Sequence, residues 1–263
     1  MKVTILGCGA SNGVPVLGCG CATCLSPNPK NRRTRVSVFV ETGDLKLLID
    51  AGPDLRQQAL AHNITEVNAV IFTHAHADHA HGIDELRNFN FLQNAVLDSY
   101  MDARTYSELH GRFGYCFAPP IPEFGWFRPA LRYHPLEPGQ RINVRGVIIE
   151  AFTQFHGTFM ESPEPYVTLG LRIGDFAYST DVKELPETSF KALEGVKYWV
   201  VDCLRPEPAP THAHLELVLS WINRVNPQKA WLTHMNHHME YEALRKSLPE
   251  AVEPAYDGLV LSL

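Results

Sequence analysis

Val67-Asn68-Ala69-Val70-Ile71-Phe72-Thr73-His74-Ala75-His76-Ala77-Asp78-His79 is the stretch on which the reading of this 263-residue chain turns. Residues 67–72 form an apolar run that reads as a buried strand. Residues 74–79 then hold three imidazoles and a carboxylate. Side chains at spacing two leave a strand on the same side, so His74 and His76 reach one point together, while adjacent Asp78 and His79, at the start of the next helix, reach a second. The spacing predicts two metal ions rather than one. The bland alternative, a polar loop of solvated histidines, does not account for four ligand-type side chains at this density.

His74-x-His76-x-Asp78-His79 resembles the signature of the metallo-β-lactamase superfamily. Within it, the chain is similar nearly end to end to the phosphoribosyl 1,2-cyclic phosphate phosphodiesterases of phosphonate degradation. The resemblance implies an α/β (α+β) fold, a four-layer αβ/βα sandwich of two mixed sheets flanked by helices. It also implies one domain over 1–263, built of two merged halves at about 1–137 and 138–263. It carries over the third histidine ligand of one ion to His156, the bridging carboxylate to Asp181 and the last ligand of the second ion to His234. One ion is then expected on His74, His76 and His156 and the other on Asp78, His79 and His234.

Composition sets the outer bounds. The chain is 45% hydrophobic and 20% charged, an ordinary globular mixture long enough to bury a full core. Its net charge of −6 offers no electrostatic reason to bind long nucleic acid, although a local basic patch stays open. There is no apolar run of about 18 residues, and the opening Met1-Lys2-Val3-Thr4-Ile5-Leu6 meets glycines too soon for a signal peptide. A cytoplasmic protein with no membrane partner is expected.

Gly7-Cys8-Gly9-Ala10-Ser11-Asn12-Gly13-Val14-Pro15 follows a first short strand. Its glycines permit close approach to a ligand, yet the Walker and dinucleotide patterns are absent. Cys19-x-Cys21-x-x-Cys24 gathers three of the six cysteines. Three thiolates at this spacing suit a structural zinc lacking one ligand. No local histidine supplies the fourth; the resemblance selects His237, with His238 as the alternative.

Arg35–Val40 and Leu45–Asp50 read as a hairpin about Thr42-Gly43-Asp44. Asp50, in an Ile-Asp-Ala-Gly segment that the superfamily places beside the metals, is expected to accept the free N–H of a ligand histidine, or else to cap the helix 54–61. Residues 80–89 read as one helix beyond the metal motif. The segment 101–132 interleaves aromatics with prolines after a short helix ending near Gly111. It reads either as a lid for a base or ribose or as a cover for one core edge.

In the second half, Arg145–Phe152 reads as a strand leading to His156. Val167–Ile173 and Phe176–Asp181 read as a second hairpin. Tyr198–Cys203 is a buried strand. Thr211-His212-Ala213-His214 opens a helix reaching Asn223, where the resemblance puts a substrate-facing histidine at His212, with His214 as the competing choice.

These nitrogen and oxygen ligands suit zinc, manganese or iron as two catalytic divalent ions. Asp181 is the natural bridge, since a carboxylate can reach two ions and an imidazole cannot. A water between two cations deprotonates near neutral pH and would attack phosphorus, with Asp78 among the catalytic residues. His212 would protonate the leaving oxygen, because an imidazole exchanges a proton near neutral pH. The resemblance implies a small cyclic phosphodiester as substrate, such as phosphoribosyl 1,2-cyclic phosphate or a cyclic nucleotide, and a homodimer. The competing readings are a tRNA 3′-processing nuclease, a lactone or thioester hydrolase, and a noncatalytic metal-holding or carrier protein of a biosynthetic pathway.

Overall fold

In the computed structural model, which describes residues 1–263 apart from 122, 124 and 159–164, the strands assort into two seven-stranded mixed sheets. The first contains β1 (Lys2–Gly7), β2 (Ser37–Thr42), β3 (Leu45–Ile49), β4 (Ala69–Ile71), β5 (Leu97–Met101) and β6 (Leu131–Pro135). The second contains β7 (Arg141–Val144), β8 (Val147–Thr158), β9 (Pro165–Ile173), β10 (Phe176–Ser179), β11 (Tyr198–Asp202), β12 (Lys229–Thr233) and β13 (Val252–Pro254). The last strand, β14 (Val260–Ser262), returns to the first sheet and pairs antiparallel with β1.

Strand order is β14-β1-β2-β3-β4-β5-β6 in one sheet and β13-β12-β11-β10-β9-β8-β7 in the other. Each sheet is antiparallel on one side and parallel on the other: β3 to β6 run parallel, and so do β10 to β13. Open sheets with parallel strands bind ligands beyond their carboxyl ends. Residues 50, 74–79, 181, 202 and 234 all fall at such ends.

Alternation along the strands explains the layers. Val38 and Val40, Leu45, Leu47 and Ile49, and Ala69 and Ile71 belong to the core between the sheets, whereas Phe39, Leu48 and Val70 belong to the core under the first sheet's helices. With both faces covered, β4 carries apolar side chains alone, which is why 69–71 shows no polar face.

The helices are α1 (Ala22–Leu25), α2 (Leu55–Ala61), α3 (Ala77–Ala80), α4 (Arg87–Gln93), α5 (Ala103–Phe113), α6 (Glu187–Ala192), α7 (Leu215–Val225) and α8 (Tyr241–Ser247). None among the described residues is long and apolar enough to cross a membrane.

Two local expectations are corrected. The single helix over 80–89 is three pieces, α3, a 3-10 turn at Ile83–Leu86 and α4. The break follows from Gly82, whose N–H donates to the Ala51 carbonyl at 2.8 Å. It sits so close to Gly52 that an added Cβ would lie 1.9 Å from the Gly52 oxygen. His156 lies inside β8 rather than after its end, because Phe155 remains paired with Val167 before the register shifts.

Pro122 and Phe124 of the aromatic and proline-rich segment lie outside the described residues. Around them, Tyr106 stacks on Tyr133 at 3.8 Å and meets Phe117 at 5.3 Å, so the segment covers α5 and β6. Among the described residues, Tyr166 of β9 brings an aromatic ring to the metal-motif histidines, 5.0 Å from His76.

Candidate metal centre

The loop after β4 is held to the loop after β3 by backbone contact. Ala51 N–H donates to the His79 carbonyl at 2.7 Å. Gly52 permits that approach, since a Cβ there would lie 2.1 Å from the Asp78 oxygen. Asp50 then reaches into the motif, accepting from Thr73 N–H at 2.8 Å and pairing with His79 Nδ1 at 2.7 Å. It serves a histidine of the motif rather than capping α2. Asp50 (φ 63°), Asp181 (φ 53°) and His234 (φ 54°) all adopt the left-handed region just past a strand end. This conformation is uncommon outside glycine and tends to persist where surrounding contacts enforce it.

Among the described residues, two groups of ligand-type atoms share Asp181, each with all its atoms within 4.8 Å of one another: His74, His76, His156 and Asp181, and Asp78, His79, His234 and Asp181; Asp202, His212 and His234 meet the same limit beside them. Asp181 belongs to both of the first two, and its two oxygens divide between them. Oδ1 lies 3.5 Å from His156 Nε2 and 3.8 Å from His74 Nε2. Oδ2 lies 2.9 Å from His79 Nε2 and 3.5 Å from His234 Nε2. Asp78 Oδ2 stands 3.5 Å from both His79 and His234. Donor atoms bonded to one tetrahedral zinc at about 2.0–2.2 Å lie about 3.4 Å apart, so most of these spacings match a shared cation.

Hydrogen bonds behind the imidazoles aim them. His79 Nδ1 faces Asp50, His74 Nδ1 faces Thr73 Oγ1 at 3.1 Å, and His156 Nδ1 faces the Thr211 carbonyl at 2.7 Å. With Nδ1 donating, Nε2 presents its lone pair inward, the tautomer that metal ligation requires. Nε2 of His74 is buried with no hydrogen-bond partner. Buried orphan nitrogens are costly unless something else satisfies them. Donor chemistry, spacing and the orphaned nitrogen together fit divalent cations.

The electrostatics agree. Burial lowers the His74 pKa, and burial brings His156 down to about 3, so both favour the neutral, ligating form. Burial would do the same to His79, but Asp181, Asp78 and Asp50 outweigh it and push its pKa well up. Burial would raise the carboxyls of Asp78 and Asp181, yet the surrounding imidazoles drive both below the ordinary range. The second group thus attracts positive charge, by proton or by metal.

Beside the groups lies His212, its Nε2 3.8 Å from Asp181 Oδ1 and its Nδ1 2.9 Å from Asp202 Oδ2. Asp202 is fully buried, accepts from Val182 N–H at 2.9 Å and faces His234 Nδ1 at 3.8 Å. His214 belongs to none of these ligand groups; it stands at the N-cap position of α7 without a side-chain capping bond, and its Nδ1 is buried without a partner. Asp202 and Tyr166 are the residues that motif reading passed over. Asp202 had a signal, since it ends a buried strand as an acid, like Asp50.

The thiols of Cys19, Cys21 and Cys24 also lie within 4.8 Å of one another, but neither His237 nor His238 joins them. Those two imidazoles instead face each other, ring centroids 4.4 Å apart. Buried Arg33 binds the carbonyls of Asn236 and Met239, bringing residues 31–33 against the 236–239 loop.

The chain is 32% identical to a crystal structure described as a new diphosphatase from the PhnP family, with a TM-score of 0.89 over 100% of this chain and 97% of that one. It is 30% identical to an octanoyltransferase of Porphyromonas gingivalis, over 98% of this chain but 51% of that protein, and so spans about half of that relative's length. Zinc-bound PqqB from Methylobacterium extorquens shares the fold at 20% identity, with a TM-score of 0.79 over 100% of both chains. The pattern of the beta-lactamase superfamily domain matches residues 46–235. That span takes in every residue of both histidine and aspartate groups, together with Asp50, Asp202 and His212, and the protein therefore belongs to the beta-lactamase superfamily and has the metallo-β-lactamase fold.

Proposed function

We propose that the chain is a metal-dependent phosphodiesterase acting on a small phosphodiester, in the first place a cyclic one such as phosphoribosyl 1,2-cyclic phosphate or a cyclic nucleotide. Two divalent ions, zinc or manganese with iron as the third choice, would be held by His74, His76 and His156 and by Asp78, His79 and His234. A structural zinc would sit on Cys19, Cys21 and Cys24. The observation that carries the reading is Asp181, whose two oxygens face different ligand groups. When bound, the ions supply Lewis acidity toward phosphoryl oxygens and an activated water.

The chain's own residues handle orientation and the second proton. Asp202 accepts from His212 Nδ1–H, so Nε2 points at the cluster and, once it too carries a proton, can pass that proton to the leaving oxygen. Thr211 offers its carbonyl to His156, which ties the histidine beside it to the ligand shell. A phosphorus substrate, rather than a lactone or thioester, is favoured by likeness to the diphosphatase. The octanoyltransferase name does not transfer, because half of that protein has no counterpart here. A tRNA-processing role has less support in a chain of net charge −6.

The test loads the protein with zinc or manganese and offers cyclic nucleotides, bis(p-nitrophenyl) phosphate, lactones and precursor tRNA. Release of phosphomonoesters from the cyclic diesters is expected. Turnover of lactones alone, or of tRNA alone, overturns the reading; full metal loading with no turnover of any of them would favour the noncatalytic alternative.

A further inference from the structure

The glycine loop Gly7-Cys8-Gly9-Ala10, whose sequence invites a ligand, turns its backbone donors toward the chain itself. Cys8 N–H donates to Asp257 Oδ1 at 3.0 Å, Gly9 N–H to the Thr34 carbonyl at 2.8 Å and Ala10 N–H to the Met235 carbonyl at 3.2 Å. The glycines serve approach of another kind. A Cβ on Gly7 would lie 2.1 Å from the Arg35 oxygen, and one on Gly9 2.8 Å from the Arg33 oxygen. Without those side chains the loop can lie directly against residues 33–35.

Met235 is held on both its backbone groups, since its N–H donates to the Cys8 carbonyl at 2.9 Å. It follows His234, which turns through the left-handed region at φ 54°. That conformation persists in a histidine where surrounding contacts enforce it. The loop at 8–10 supplies such contacts on the C-terminal side of the turn.

What holds the loop is Asp257. The return of β14 to the first sheet brings it there, where Oδ1 takes the Cys8 N–H and Oδ2 takes Thr34 N–H and Thr34 Oγ1–H, each at 2.7 Å. Gln58 Nε2 donates to the same hydroxyl at 2.9 Å, which leaves the hydroxyl's own proton for Asp257. Burial lifts the Asp257 pKa to about 6, so at neutral pH it is ionised and accepts from all three donors. Hydrogen bonds to a charged acceptor are the stronger kind, and these three join segments far apart in sequence.

We propose that Asp257 is a positioning residue for the second ligand group: by clamping Cys8 to Thr34 it fixes Met235, and through Met235 the turn that aims His234. This rests on the metal-dependent reading above and extends the site to a residue two hydrogen bonds removed from Met235.

The experiment withdraws zinc from the loaded chain with a graded chelator, with His76→Ala and His79→Ala assigning each release step to its group, and follows amide exchange by NMR. In Asp257→Ala the zinc of the second group should be held about tenfold less tightly, that of the first group as in the native chain. Exchange at the Met235 amide should quicken while amides of β8 and β9 keep their protection. Asp257→Asn, which retains an acceptor for Cys8 N–H, should lie between, and carries the same comparison should Asp257→Ala not fold. Ile173→Ala is the control, a buried residue beside the β9–β10 turn at the far end of the second sheet. It should lower stability without moving either the second release step or Met235 selectively. Native zinc retention in Asp257→Ala, or losses at both groups matched by Ile173→Ala, would overturn the proposal. If the native chain holds no zinc on the second group, the metal reading falls and Met235 exchange decides alone: quickened selectively in Asp257→Ala, it keeps the clamp; unchanged, it discards it.

Discussion

Burial alone would strip His234 of its proton, yet Asp181, Asp78 and Asp202 around it raise its pKa to about 9. Without metal this imidazole is therefore protonated at neutral pH, and a cation must displace that proton to bind. The pKa is raised, so the competing proton is held more firmly as pH falls, and metal affinity should weaken toward acid and level off above about pH 9. Between pH 6.5 and 8.5 each displaced proton is worth about tenfold per pH unit, read by calorimetry in buffers of differing ionisation enthalpy. Affinity independent of pH would mean that the second group is not where metal binds. At the same scale, Asp202→Asn removes the charge behind His212 and should lower kcat about tenfold to hundredfold with metal content retained. His212→Ala should slow diesters with alkoxide leaving groups more than those releasing nitrophenolate, which needs no proton. Equal losses for both would argue against a proton donor.

The elements matter chiefly for where they stop. β3, β10, β11 and β12 run parallel to neighbours and end at the same side of their sheets, so Asp50, Asp181, Asp202 and His234 emerge together, three of them through left-handed turns. The turn after β3 and the short helix after β4 are locked by the contact of Gly82 with Gly52. Gly82→Ala would force a methyl to within 1.9 Å of a carbonyl oxygen, so the two loops must separate. A loss of about 3 kcal/mol is expected by urea unfolding, accompanied by weaker metal binding. A variant as stable as the native chain, with metal affinity intact, would show that the contact does not set the site.

For the molecule as a whole, the ligand groups join the two sheets. His74, His76, Asp78 and His79 come from the first, and His156, Asp181 and His234 from the second. Ions bound there would cross-link the sandwich. A metal at 100 times its dissociation constant stabilises the folded state by about 2.7 kcal/mol per site, so chelation should lower Tm by several degrees. Metal analysis is expected to find about three ions per chain, one of them surviving mild chelation. At most one ion, or a Tm indifferent to chelator, would remove the binuclear centre.

By itself the sequence determined what depends on neighbours along the chain. The apolar run 67–72 predicts a strand buried on both faces, and the histidine spacing after it predicts two ligand groups, because strand and helix periodicity decide which adjacent side chains converge. His156, Asp181 and His234 were legible only through family likeness, since no local pattern distinguishes a ligand from any other polar residue at a strand end. Tertiary structure alone decided the rest. It aimed His212 rather than His214 at the cluster, put Asp202 behind it and Asp257 beside Cys8, broke the helix at Gly82, and sent β14 to the first sheet. Each of these turns on contacts between segments far apart in sequence, whose geometry is set by how the sheets pack and not by any spacing along the chain.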